Sequence, residues 1–151
     1  MDGGTHHGFA VVPYEAWHLR TIALQPHQEH LGAFLESSGF AERLQLAGPC
    51  WTALVDGAPV ACAGFEEHWN GRSGAWAVLS DRAGKHMVAL TRAVRLALLN
   101  HSAERIETTV LEGFEEGVRW AKVLGFEDEG VRKRYHQGRD HRAFVLLKPT
   151  L

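Results

Sequence analysis

The chain has 151 residues, of which 45% are hydrophobic and 23% are charged, so it has the length of one domain over residues 1–151 and is too apolar for wholesale disorder. Sixteen Lys and Arg against eighteen Asp and Glu give a formal net charge of -2, which argues against a dedicated nucleic-acid binder. Residues 1–7 lack a basic segment followed by an apolar core, and no apolar run approaches the roughly 20 residues that span a bilayer. We therefore expect a cytoplasmic protein with no membrane partner.

Short elements are predicted in the first fifty residues. Apolar residues at helical or strand spacing predict a strand over 9–12 and helices over 14–24, 26–35 and 40–46. Pro13 ends the strand because it has no N–H for the ladder. Gly39 is expected to adopt the left-handed conformation that commonly ends a helix, so the second and third helices are predicted to be separate.

The spacing changes from helical to extended after Pro49. Two apolar runs, over 50–55 and 58–65, flank Asp56-Gly57, and this arrangement predicts a β-hairpin with a two-residue turn. With such a turn Cys62 faces Trp51, which places Cys50 on the other face of the sheet. We therefore expect both cysteines to be free thiols, as is usual in a reducing compartment.

The centre of the chain predicts a strand, a helix and a second strand. A polar loop over 66–73 precedes the apolar run Ala75–Leu79, which suits a strand covered on both faces. A helix is expected from about Gly84 to Asn100, because its apolar residues form a stripe at helical spacing. The strand over 105–110 then runs parallel to the first, through a right-handed crossover.

The last third of the chain is predicted to complete the sheet. Its elements are a helix over 114–124 closed by Gly125 and strands over 126–135 and 141–147. Because hairpins flank the parallel pair, the sheet is mixed. The predicted fold class is α/β, or α+β: a twisted mixed sheet flanked by helices, with a parallel strand pair and its crossover helix at the centre.

Ten histidines are distributed along the chain. His27 and His30 stand three residues apart on a predicted helix, where their side chains can share a face. A protein metal site needs at least three ligands, and the sequence singles out no third residue beside this pair. We therefore expect no metal and interpret the histidines as solvated surface residues.

The order of elements resembles that of the GNAT acyltransferase family, and local segments resemble it over about residues 50–147. In that family a late helix ends in the pattern aromatic–x–x–Leu-Gly-Phe. Leu124-Gly125-Phe126 matches the end of this pattern, whereas Ala121 stands at the aromatic position with Trp120 before it. The sequence is most similar in texture to the small GNAT-like proteins encoded by tailed bacteriophages.

The resemblance implies acetyl-CoA as the cosubstrate. Its pantetheine arm would enter between the splayed parallel strands, and its pyrophosphate would rest on the free amides at the start of the following helix, where the helix dipole favours an anion. The residues implied in binding are Val78, Leu79, Arg82, Gly84, Lys85, His86, Met87 and Val88. His86 and Val88 stand where the family's loop has glycines, so loss of the cofactor is the alternative.

Transfer of an acetyl group to an amine requires a base that removes a proton from the amine. Glu66, Glu67 and Glu107 are the candidates, and one of Glu66 and Glu67 should face the cleft. Glu107 can instead form a cross-strand ion pair at the surface. In the family a tyrosine of the late helix often protonates the leaving thiolate, and Ala121 stands at that position here.

The resemblance implies an acyl-CoA-dependent N-acyltransferase that acts on a small-molecule or protein amine. The alternative is a catalytically inactive GNAT-like scaffold, such as a virion-associated or host-interacting phage protein. Its expected partner is a second copy of the chain or a phage structural protein, in the host cytoplasm or in the virion. The two alternatives stay open, because function depends on the site and not on the fold.

Overall fold

The computed structural model describes residues 8–22, 28 and 39–149. Its strands are β1 (Phe9–Pro13), β2 (Cys50–Val55), β3 (Ala58–Trp69), β4 (Arg72–Leu79), β5 (Arg105–Leu111), β6 (Glu127–His136) and β7 (Arg139–Leu147). Its α-helices are α1 (Ala16–Thr21), α2 (Phe40–Ala47), α3 (Met87–Asn100) and α4 (Glu115–Val123). None of the described helices is long and apolar enough to cross a membrane. The helix predicted over 26–35 lies outside the described residues, apart from Gln28.

The strands form a seven-stranded sheet in the order β1-β2-β3-β4-β5-β7-β6. Neighbouring strands are antiparallel except β4 and β5, which are parallel and are connected by α3. This confirms the predicted mixed sheet with a parallel pair at its centre. The pair is joined where Arg72–Gly74 lies beside Arg105–Glu107, and both strands continue well beyond this point.

Two helical layers cover the sheet. On one face, α1 and α2 pack in a cluster that contains Leu44 and Val78. On the other face, α3 and α4 pack against the sheet, and Leu79 contacts Leu90 there. We name these the α1/α2 face and the α3/α4 face. Because successive side chains of a strand point to opposite faces, each residue of β3, β4 and β5 can be assigned to one of them.

The hairpin around Asp56-Gly57 forms as predicted. Both turn residues have positive φ, 49° and 83°, as a type I′ turn requires. A β-bulge between Ala53 and Leu54 then shifts the register of the two strands. A bulge inserts one extra residue and moves every later pairing by one position.

The bulge changes the placement of the cysteines. Cys62 faces Thr52 and not Trp51, so the prediction that Cys50 and Cys62 lie on opposite faces is wrong. Both belong to the α1/α2 face, and both are free thiols as predicted. They are diagonal neighbours across the two strands, and such positions lie about 7–8 Å apart, beyond the usual Cα separation of a disulfide.

The loop predicted over 66–73 is wrong, because most of it is strand. β3 extends to Trp69, and a tight turn at Gly71, with φ 90°, leads directly into β4. Glycine adopts positive φ without steric cost. The polar residues at the end of β3 indicate a loop, but Glu67 and His68 are exposed there while remaining in the sheet.

Candidate functional site

A cleft opens where β4 and β5 separate. Beyond Gly74 and Glu107 no backbone pairing joins the two strands within the described part of the chain. The cleft has a volume of about 1320 Å³ and is lined mainly by apolar side chains, including Trp76 of β4, Leu90 of α3 and Trp120 of α4. A concave, mostly apolar cleft with few polar groups is typical of a small-molecule site.

The edge of β4 that faces the cleft carries backbone groups that β5 leaves unpaired. Two side chains occupy part of this edge. Thr108 Oγ1 donates a hydrogen bond to the Ala75 carbonyl oxygen over 2.9 Å. Gln28 Nε2 donates to the Ala77 carbonyl oxygen over 3.0 Å, and the Leu79 N–H donates to Gln28 Oε1 over 2.9 Å. Ala75, Ala77 and Leu79 therefore present their backbone groups to the cleft.

Val78, which the sequence predicts as a cofactor residue, is not among the residues that line this cleft. Its side chain is buried on the α1/α2 face. It lies opposite Cys62 of β3, and the alternation of a strand turns its backbone groups toward that neighbour. Leu79, for which cofactor binding stays a prediction, lines the cleft, and so does Ala77.

The segment after β4 forms a turn that leads into α3. Residues 83–86 are a 3-10 helix, so the α-helix begins at Met87 and not at Gly84 as predicted; a 3-10 turn is a frequent start of an α-helix. Amides at a helix start lack partners within the helix, and the positive end of the dipole favours an anion. Gly84 and Met87 line the cleft, so these amides lie at its rim.

The other predicted cofactor residues surround this turn. Arg82 and Lys85 are exposed, where positive charge adds to the attraction for an anion. The ring of His86 stacks on Phe9 with 6.4 Å between centroids, and Val88 is 71% exposed. The side chains that replace the family's glycines therefore pack on a neighbour or extend into solvent, and the bulk of Val88 does not fill the cleft.

The two adjacent glutamates of β3 point to opposite faces. Glu66 is partly buried, lies opposite Gly74 and lines the cleft. Glu67 is exposed and lies opposite Ser73 on the α3/α4 face, close enough to His101 to affect its titration. Of these two adjacent candidate bases, Glu66 is thus the one that the strand directs into the cleft.

Glu107 is held by ion pairs at the point where β4 and β5 separate. Arg72 donates from Nε and Nη2 to the two carboxylate oxygens over 2.9 and 2.7 Å, and Arg105 donates from Nε over 2.7 Å. The two hydrogen bonds from Arg72, reinforced by the one from Arg105, lower the pKa of Glu107 to about 2. A carboxylate with so low a pKa is a weak base near neutral pH. The alternative interpretation, an ion pair, is therefore the one that the structure favours.

Tyr135 lines the cleft although no sequence motif indicated it. It lies near the end of β6 and is half-exposed, and the guanidinium carbon of Arg132 lies 5.3 Å from the centroid of its ring. The β6–β7 hairpin carries it to the cleft from a distant part of the sequence. Local spacing cannot indicate such a tertiary approach.

His101 forms part of the cleft wall at the end of α3. Its Nε2 lies 2.9 Å from Ser73 Oγ, and its ring stacks on Phe65 with 3.8 Å between centroids. Burial lowers the pKa of His101, so the ring is neutral near pH 7. Ser73 is only 2% exposed, and an enclosed hydroxyl of this kind supports packing and not reaction with a ligand.

The proposed pairing of His27 with His30 falls outside the described residues. Among the residues that are described, no three His, Cys, Asp or Glu side chains gather closely enough to hold a metal ion. The interpretation of the histidines as solvated surface residues is wrong for His18 and His141, which are 2% and 7% exposed. His68 lies against Gly74 at the junction of the strands, since a Cβ added to Gly74 would stand 3.0 Å from His68 Nε2.

The sequence matches no protein-family model and no curated protein, whereas solved structures share its fold. The ribosomal-protein-S5-alanine acetyltransferase from Vibrio fischeri is 18% identical with a TM-score of 0.70, over 95% of this chain and 97% of that chain. A GNAT-family acetyltransferase from Bacillus anthracis is 11% identical with a TM-score of 0.66, over 92% and 94%. One from Elizabethkingia anophelis with acetyl-CoA bound is 11% identical with a TM-score of 0.66, over 93% and 99%.

The chain therefore has the fold of the GNAT acetyltransferases, a mixed seven-stranded sheet flanked by helices. At sequence identities of 18% and below, the likeness to these structures shows a shared fold and no more. One fold hosts many functions. The predicted resemblance is confirmed at the level of the fold. The likeness to bacteriophage proteins stays a prediction.

Proposed function

We propose that this protein is an acyl-CoA-dependent N-acyltransferase that moves an acetyl group from acetyl-CoA to an amine of a small molecule or a protein. The observation that carries the proposal is the cleft between β4 and β5, which opens beyond Gly74 and Glu107 and reaches the turn at Gly84 and the first residue of α3, Met87. The fold that this chain shares with solved acetyltransferases also supports the proposal. A long apolar arm and an anion at one end are the features such a cleft accommodates.

The residues present fit acetyl-CoA. The 1320 Å³ cleft is large enough for the pantetheine arm. The Ala77 carbonyl and the Leu79 N–H on the edge of β4, which pair with Gln28 in the protein without ligand, are the backbone groups that could bond to its amides. For the pyrophosphate we assign the amides of Gly84–Val88, since a Cβ added at Gly84 would meet nothing within 4 Å, so the backbone is accessible there. Arg82 and Lys85 add positive charge.

Bound acetyl-CoA supplies a thioester carbonyl, at which the amine nitrogen forms the new C–N bond while the C–S bond breaks. We assign Glu66 as the base that accepts the amine proton, directly or through one water. It faces the cleft, and within the described part of the chain no arginine forms an ion pair with it as Arg72 does with Glu107. For the proton that the leaving sulfur takes up we assign Tyr135, because Ala121 offers no hydroxyl on α4.

The competing proposal is a scaffold that binds no cosubstrate. Two observations favour it: Ala121 lacks the acid, and Gln28 occupies the edge of β4 that pantetheine would need. Calorimetric titration with acetyl-CoA separates the two proposals. An enzyme binds saturably, and a ligand at 100 times its Kd raises the free energy of unfolding by about 2.7 kcal/mol. If acetyl-CoA neither binds nor raises the thermal stability, the scaffold proposal is favoured over the enzyme proposal.

A further inference from the structure

Gln28 makes an unusual pair of contacts on the open edge of β4. Its carboxamide nitrogen donates to the Ala77 carbonyl oxygen over 3.0 Å, and its carboxamide oxygen accepts from the Leu79 N–H over 2.9 Å. A residue of a parallel strand lying opposite Val78 would form this same pair of hydrogen bonds. The side chain of Gln28 thus takes the place of one residue of a missing neighbour strand.

Occupancy of this edge has a physical reason. A backbone N–H or C=O that is removed from water without a partner costs free energy comparable to a lost hydrogen bond. β5 cannot supply the partner, because it has separated from β4 before Ala77. Gln28 satisfies both groups in the protein without ligand, and the contact is partly buried.

The same two backbone groups are the ones that the proposed function assigns to the pantetheine arm. Pantetheine contains two secondary amides, each with one N–H and one C=O. The Ala77 carbonyl and the Leu79 N–H lie side by side on one edge, and the carboxamide of Gln28 fills the space beside them. A pantetheine amide and the Gln28 carboxamide cannot both take this position.

We propose that Gln28 is a built-in competitor for acyl-CoA, which must leave the edge of β4 before a pantetheine amide can pair with Ala77 and Leu79. This inference rests on the proposed function. The competition lowers the affinity for acyl-CoA. It acts on the pantetheine arm and leaves the nucleotide end of the ligand unaffected, because the hydrogen bonds of Gln28 go to Ala77 and Leu79 of β4 and not to the turn at Gly84–Val88.

The test compares two ligands on two proteins. Coenzyme A carries pantetheine, whereas adenosine 3′,5′-bisphosphate is its nucleotide portion without that arm. We expect Gln28→Ala to bind coenzyme A about tenfold more tightly than the wild type in calorimetric titrations, equivalent to about 1.4 kcal/mol. The affinity for adenosine 3′,5′-bisphosphate should be equal in both proteins.

A second variant keeps the test independent of folding. Gln28→Glu preserves the shape of the side chain but removes the N–H donor to Ala77, so coenzyme A should again bind more tightly, relative to adenosine 3′,5′-bisphosphate, than it does to the wild type. Equal or weaker binding of coenzyme A by the variants, with wild-type binding intact, overturns the competition alone. If neither ligand binds any of the proteins, the proposed function fails and this inference fails with it.

Discussion

Replacement of Glu107 by glutamine tests how the junction of β4 and β5 is held. The pKa of Glu107 falls from 4.5 to about 2 through the hydrogen bonds of Arg72 and Arg105, and a change of this size corresponds to about 3 kcal/mol of stabilisation of the carboxylate. The side chain of Glu107 is 16% exposed but those of both arginines are about a third exposed, so solvent screening reduces the effect. We expect Glu107→Gln to lower the free energy of unfolding by about 2 kcal/mol at pH 7.

The stabilisation by Glu107 should depend on pH in a defined direction. Because the pKa is lower in the folded protein than in the unfolded chain, the stabilisation is complete above about pH 4.5 and is lost as the pH falls toward 2. Urea unfolding of both proteins should therefore show a difference of about 2 kcal/mol at pH 7 that falls to about 1 kcal/mol at pH 3. The control is Glu112→Gln, since Glu112 pairs with Arg142 at 3.2 Å on an exposed surface and should contribute less than about 1 kcal/mol. A difference for Glu107→Gln that is absent at pH 7, or that does not change with pH, would show that the ion pairs of Glu107 do not stabilise the fold.

Three further variants test the assigned roles. Glu66→Gln should lower kcat by about 100-fold or more without changing the Kd of acetyl-CoA, whereas Glu67→Gln, on the opposite face, should change kcat less than threefold; the reverse order would exclude Glu66 as the base. Tyr135→Phe should lower kcat by about tenfold with acetyl-CoA but not with an acetyl thioester of a more acidic thiol, and equal losses with both donors would contradict its role as an acid. Lys85→Glu should weaken acetyl-CoA binding by about threefold to tenfold at low ionic strength and less at high salt, and an effect independent of salt would show that Lys85 does not act through its charge.

The parts of the fold that depend on local pattern could be predicted from the sequence. Asp56-Gly57 between apolar runs indicated the hairpin, and the continuous apolar run Ala75–Leu79 indicated the central strand. The bulge between Ala53 and Leu54 could not be predicted, because an extra residue in one strand leaves the pattern of apolar residues almost unchanged. That single residue reversed the predicted placement of the two cysteines.

The candidate site could be predicted only in outline. Glu66 and Glu67 were both plausible while β3 was expected to end before them, and only the continuation of the strand assigns each to a face. Tyr135 and Gln28 reach the cleft from elements distant in sequence, so no spacing rule could select them. The sequence allows two interpretations of Glu107, and the choice between them depends on Arg72, which lies 35 residues away in the chain.

Amide chemical-shift mapping locates the acetyl-CoA site residue by residue. We expect titration of uniformly ¹⁵N-labelled protein with acetyl-CoA to shift the amides of Leu79 and of Gly84–Val88 saturably and with one common Kd. The amides of the exposed strand β6 before Tyr135 should not move. No saturable shift, or shifts confined to residues outside the cleft between β4 and β5, would contradict the account.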